Sequence, residues 1–149
     1  MVDELEALYR ARLPEFRRVA AAIAGDRELG ADAVQEAFAR AVRKRRSYHG
    51  GGTLEAWVWR IVVNAARDAR RRARPAPTGT LAPGGNGHVQ LLPLHLLTER
   101  QREVVFLHYY ADLGYDEIAA ALEIASGTVG ATLNAARRTL RGALEEVQA

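Results

Sequence analysis

Residues 53–72 read Thr53-Leu54-Glu55-Ala56-Trp57-Val58-Trp59-Arg60-Ile61-Val62-Val63-Asn64-Ala65-Ala66-Arg67-Asp68-Ala69-Arg70-Arg71-Arg72, and two periodicities run through them. Leu54, Trp57, Val58, Ile61, Ala65 and Ala69 recur at spacings of three and four, which gathers them on one face of an α-helix. Arg60, Asn64, Arg67 and Arg71 form a second stripe with the same period. Thr53 is suited to cap the amino end, so the spacing predicts a helix from about Thr53 to Arg72. Together with Arg70, Arg72 and Arg74, the second stripe can follow a phosphate backbone, and Asn64 at its centre both donates and accepts hydrogen bonds. A solvated arginine-rich face is the plain alternative. Few carboxylates interleave to neutralise the stripe, which favours nucleic acid.

Toward the amino end, Leu5, Leu8, Tyr9, Phe16, Ala20 and Ile23 have helical spacing, with Pro14 read as the first residue of a restarted helix. Gly25-Asp26 breaks that pattern. Val34, Phe38, Ala41 and Val42 then give a second helix with Asp32, Gln35, Glu36 and Arg43 toward its polar side, ending in the basic run Arg43-Lys44-Arg45-Arg46. Three consecutive glycines, Gly50 to Gly52, make residues 47–53 a loop.

Toward the carboxyl end, residues 75–87 hold three prolines, four glycines and no charge, a composition that disfavours helix and ladder and offers little to bury. Residues 75–90 are therefore read as a flexible linker between a unit over 1–74 and another over 91–149. In the second unit, Thr98-Glu99-Arg100-Gln101 has the form of a capping box, continued by Val104, Val105, Leu107 and His108. A short helix over Tyr115–Leu122 turns Ile118, Ala119 and Leu122 inward, and residues 123–126 make a tight connection. From Thr128 a longer helix follows, lined by Val129, Leu133, Ala136, Leu140, Leu144 and Val147. A short helix, a turn and a longer helix make a helix-turn-helix, a motif that any helical hairpin in a small bundle can imitate. The predicted fold class is all-α, two small helical domains joined by a linker.

Composition narrows the function. Of 149 residues, 48% are apolar and 26% charged, the balance of a chain that folds in water. Cysteine is absent, which excludes disulfides and thiolate metal sites. The longest apolar run, Val19 to Ala24, is far too short to span a bilayer, so the expectation is a soluble, cytoplasmic protein without membrane insertion. His49, His88, His95 and His108 are scattered singles, giving no metal, cofactor or catalytic assignment and no expectation of an enzyme. Charge is uneven: residues 1–74 carry 16 basic and 10 acidic side chains, a net of +6, while residues 88–149 carry 5 and 8, a net of −3.

In order along the chain, these segments resemble a bacterial RNA polymerase sigma factor of the extracytoplasmic-function (ECF) group of the sigma-70 family. Gly25-Asp26 followed by Asp32-Ala33-Val34-Gln35-Glu36-Ala37-Phe38 is similar to the family's polymerase-gripping segment, and residues 55–68 to its promoter-melting helix. Leu97-Thr98-Glu99-Arg100-Gln101-Arg102-Glu103-Val104 and Tyr115-Asp116-Glu117-Ile118-Ala119-Ala120-Ala121-Leu122 are similar to the entry of its second domain. The resemblance implies core RNA polymerase, promoter DNA and an anti-sigma factor as partners. It implies that Asp32, Gln35 and Glu36 dock on core polymerase. Tyr48, Trp57, Arg60, Asn64, Arg67 and Arg71 would hold the melted proximal promoter element. Ser126, Thr128, Ala131, Thr132, Asn134, Arg137 and Arg138 would face the distal element.

Two segments depart from the family's pattern. Glu123 stands at the turn where the family usually has glycine, and Gly130-Ala131 follow Gly127-Thr128-Val129 where basic or polar residues are usual. Distal contacts must then rest mainly on Arg137, Arg138 and Arg141, helped by the helix amino terminus. A sigma-like mimic that docks without reading DNA, a stand-alone helix-turn-helix regulator and a basic helix on anionic lipid are the alternatives.

Overall fold

The computed structural model describes residues 1–50, 52–73 and 94–148; the predicted linker over 75–90 lies outside them. Among the described residues there are six α-helices and no strand: α1 (Val2–Ala24), α2 (Arg27–Arg43), α3 (Leu54–Arg72), α4 (Glu99–Tyr109), α5 (Tyr115–Leu122) and α6 (Ser126–Gln148). The predicted all-α architecture is the one observed. Short 3-10 turns occupy Arg45–Ser47 and Leu94–Leu96.

The first three helices form a bundle whose boundaries follow local chemistry. Gly25 ends α1 in the left-handed region at φ 91, where a side chain would be strained, and Asp26 opens α2 by accepting from the Leu29 amide at 3.0 Å. The break in α1 is at Arg12 (φ −123), so the second segment opens at Leu13 with Pro14 in its first turn, rather than at Pro14 itself. α1 and α2 pack tightly at Gly30: a Cβ there would lie 2.5 Å from both the Cα and the N of Ala21. Thr53 caps α3 as predicted, its hydroxyl accepting from the Ala56 amide at 3.0 Å.

At the centre, Phe16 meets Phe38 edge-on at 5.3 Å and the Trp59 ring at 4.4 Å. Trp59 is the correction to the predicted stripe on α3. It is buried with Val58, Val62, Val63, Ala65, Ala66 and Ala69, while Leu54, Trp57 and Ile61 are only half-buried. The helix is covered on more than one side, by α1 and α2 and also by α5, so its buried sector is wider than a single amphipathic stripe.

In the second half, the Thr98 hydroxyl accepts from the Gln101 amide at 3.1 Å and the Gln101 side chain accepts from the Thr98 amide at 3.0 Å, the capping box read from the sequence. α6 begins at Ser126, two residues before the predicted start, where the Ser126 hydroxyl donates to Asp116 at 2.6 Å and pins the turn. Val129, Leu133 and Ala136 are buried and Leu140 packs against them, but Leu144 is 43% exposed because the core ends before the last turns. The side chain of Val147 lies outside the described residues.

The two halves touch. α3 lies against α5 and α1 against α4, and buried apolar residues of both halves belong to one continuous cluster. Among the described residues no single helix is long and apolar enough to cross a membrane.

Candidate nucleic-acid interface

α3 carries the cationic stripe as predicted, with Arg60, Asn64 and Arg71 exposed and Arg67 half-buried. At the amino end of this helix the Tyr48 hydroxyl donates to the Gly52 carbonyl at 2.7 Å, and its ring tilts over Trp57 with centroids 5.5 Å apart. This loop thus sets an aromatic pair beside the first turn of α3. Asp32 and Gln35 are exposed on α2, and Glu36 bridges to Arg40 at 3.1 Å and Arg43 at 3.3 Å. The Arg40 hydrogen bond, with Arg43 adding, holds the Glu36 carboxyl below the usual carboxylate value. Arg40 also reaches Asp68 at 3.4 Å and so ties α2 to α3, while Arg71 pairs with the same carboxylate at 3.4 Å.

The remaining stripe arginines have partners that the sequence reading missed. Arg67 makes a fork to Glu103 of α4, with Nε donating to Oε2 at 2.8 Å and Nη2 to Oε1 at 2.5 Å. The Glu103 side chain is 2% exposed. This hydrogen bond is the main reason the Arg67 guanidinium holds its proton more tightly than usual; burial opposes it, and the charges of Glu103, Glu99 and Glu123 reinforce it. Arg60 pairs with Glu123, and Arg70 lies 3.7 Å from Glu99. On the other flank, Arg12 donates to the Ala111 carbonyl and Arg18 stands 5.4 Å over the Tyr110 ring. Glu103 had a readable signal: it sits four residues before buried Leu107, a charge in a core-facing position that needs a partner.

The helix-turn-helix is formed by α5 and α6. Glu123 lies at its turn with φ 58, the left-handed conformation expected where the pattern calls for glycine. Along α6, Thr128, Ala131, Asn134 and Arg138 are exposed and Thr132 and Arg137 half-buried. Ser126 is exposed but engaged by Asp116. Ala131, Asn134, Arg137, Arg138 and Arg141 line an open groove of about 450 Å³. Arg137 is held there by donating to the Tyr109 hydroxyl at 2.9 Å. The edge of the Tyr115 ring stands beside Gly130, where a Cβ would lie in ordinary contact 3.4 Å from Cε2.

Comparison with known proteins gives the same assignment from both halves. Sigma-70 region 2 matches residues 8–75 and Sigma-70, region 4 matches residues 94–140. The ECF RNA polymerase sigma factor EcfG of Rhodopseudomonas palustris is 30% identical, over 97% of this chain and 87% of that protein. This chain belongs to the ECF group of the sigma-70 family. The ECF RNA polymerase sigma-E factor of Escherichia coli K12 is 30% identical over 73% of this chain and 70% of its own length. Among solved structures, CnrH in complex with the cytosolic domain of CnrY superposes with a TM-score of 0.76 at 25% identity, covering 95% of this chain and 88% of that one. The sigma factor RpoE in complex with the anti-sigma factor NepR from Bartonella quintana gives 0.73 at 23% identity, covering 95% and 97%. The region 2 match contains α2, the Tyr48 loop and α3, and the region 4 match contains α5 and α6 as far as Leu140.

Proposed function

We propose that this ECF sigma factor binds core RNA polymerase, recognises and melts promoters, and itself carries out no covalent chemistry. The observation that carries this reading is the pairing, on one helix, of an arginine stripe centred on exposed Asn64 with an aromatic loop, Tyr48 over Trp57, at its end. Such a surface suits a single strand, with aromatic rings to stack an unpaired base and guanidinium groups to follow the backbone. Residues 1–74 act as the melting and docking domain, and residues 91–149 as the helix-turn-helix domain. Asp32, Gln35 and Glu36 dock on the polymerase, their polar groups fixing orientation at the rim of the contact.

On α6, Arg137, Arg138 and Arg141 hold phosphates of the distal element, while Gly130 and Ala131 give little base reading. Promoter choice therefore rests mostly on the first domain. An anti-sigma factor as partner is supported by the likeness to RpoE in its complex with the anti-sigma factor NepR. Acting on core polymerase places the protein in the cytoplasm.

Transcription reconstituted from core polymerase and this protein on fragmented host DNA, with RNA 5′ ends mapped and core binding measured in parallel, tests the reading. New starts sharing an upstream motif are expected. Core binding without new starts sinks it in favour of a mimic, the reading that the missing cations at Gly130 and Ala131 favour.

A further inference from the structure

We propose that the second half of the chain competes with the promoter strand for the first: Glu123 and Glu103 hold Arg60 and Arg67 where phosphates would otherwise sit. The inference rests on the reading of the α3 stripe as a DNA surface. Its geometric basis is the set of three carboxylates from α4 and the helix-turn-helix turn that meet three arginines of α3, Glu123 with Arg60, Glu103 with Arg67 and Glu99 with Arg70. A carboxylate presents the same pair of acceptor oxygens to a guanidinium fork as a phosphate does, so the two ligands compete for the same fork. The net charges of the halves, +6 and −3, have the signs that such a mimic needs.

Glu123 is the telling residue. Its backbone at φ 58 is a conformation that glycine adopts without strain and a glutamate does not. What the side chain does is reach across to Arg60. Glu103 likewise meets α3, its side chain 2% exposed with the halves together. A strand approaching the stripe must therefore displace α4 and α5, and separation of the halves returns Glu99, Glu103 and Glu123 to water.

The chain lacks cysteine, so Glu6→Cys and Glu145→Cys, both at exposed positions, allow a dye pair to report the separation of the halves in the full-length protein. A short fluorescent single-stranded oligodeoxynucleotide of mixed sequence, without polymerase, reports access to the stripe. Energy transfer is expected to fall as the oligonucleotide binds. Glu123→Gly should tighten binding about two- to fivefold, the range of an exposed ion pair. Glu123→Gln keeps the strained backbone and should act in the same direction, which separates charge from strain. Glu103→Gln should tighten binding by about tenfold or more, because its pair is buried. Binding with transfer unchanged, or affinities unchanged in all three variants, overturns the proposal. Failure of the underlying stripe reading looks different: Arg60→Ala and Arg67→Ala, placed in the Glu123→Gly protein, would then bind the oligonucleotide as tightly as their parent.

Discussion

Replacing Arg67 by methionine removes the guanidinium and keeps most of the apolar stem, leaving the Glu103 side chain 2% exposed with Arg100, at 4.0 Å, as its remaining ion pair. Breaking a buried pair by deleting one partner costs about 3–5 kcal/mol, because the survivor is an uncompensated charge. Here the halves can part and rehydrate Glu103, so the loss is limited by the free energy of closure and the lower figure is expected, about 3 kcal/mol. For a chain of this size that is a fall in Tm of roughly 6–12 °C. Glu103→Leu alone should do less, about 1 kcal/mol, since Arg67 is 21% exposed and can turn its fork to water.

The double variant Arg67→Met with Glu103→Leu replaces the pair by apolar groups and should return to within about 1 kcal/mol of the parent. Thermal and urea unfolding of the four proteins, followed by far-ultraviolet circular dichroism, then gives a coupling of about 3 kcal/mol between the two positions. Additive single effects, or an Arg67→Met protein that melts with its parent, would show that the carboxylate is hydrated and the two halves are not held by this fork. The cycle also separates two roles of Arg67, since closure is measured without DNA.

Other outcomes follow from the same contacts. Gly30→Ala places a Cβ 2.5 Å from the backbone of Ala21, so α2 must shift; after the helix-propensity gain of about 1 kcal/mol, a net loss of about 1–2 kcal/mol and weaker core polymerase binding are expected by denaturation and pull-down titration. Gly130→Ala meets only the edge of Tyr115 at 3.4 Å and should stabilise the protein by about 0.5–1 kcal/mol; destabilisation would mean that the ring cannot move. Asn64→Ala should lower promoter opening, read by permanganate footprinting, with core affinity unchanged, and equal loss of both would remove α3 from the DNA surface. Arg138→Ala and Arg141→Ala should each reduce the salt slope of duplex binding by about one; an unchanged slope would place the distal phosphates elsewhere.

How far the sequence could be read depended on whether the deciding contact was local. Asp26, Thr53 and Thr98 bond to amides three residues away, and each cap was visible as a short pattern. The cationic stripe on α3 was equally legible, because its period is set by the helix alone. Trp59 was misplaced because covering from several helices widens a buried sector beyond the amphipathic stripe, and that covering is a tertiary fact. The partners of Arg60 and Arg67 were hidden for the same reason: Glu123 and Glu103 lie 63 and 36 residues away in sequence, and no local spacing connects them.

Glu123 shows how a local anomaly can carry non-local information. A glutamate at a turn position that favours positive φ raises the energy of the helix-turn-helix on its own, by about 1 kcal/mol. Among the described residues, the ion-pair partner of its side chain is Arg60 of α3. The residue therefore makes sense in a chain whose halves spend time together, and opening forfeits this exposed pair of modest strength along with the Arg67–Glu103 fork and the apolar contact between the halves. Arg67 and Glu103 supply the stronger part of the contact, and Glu123 the part that a strand entering at Arg60 meets first. A chain with glycine at 123 and the Arg67–Glu103 fork intact should still close, but should yield the amino-terminal end of its stripe to DNA at lower strand concentrations.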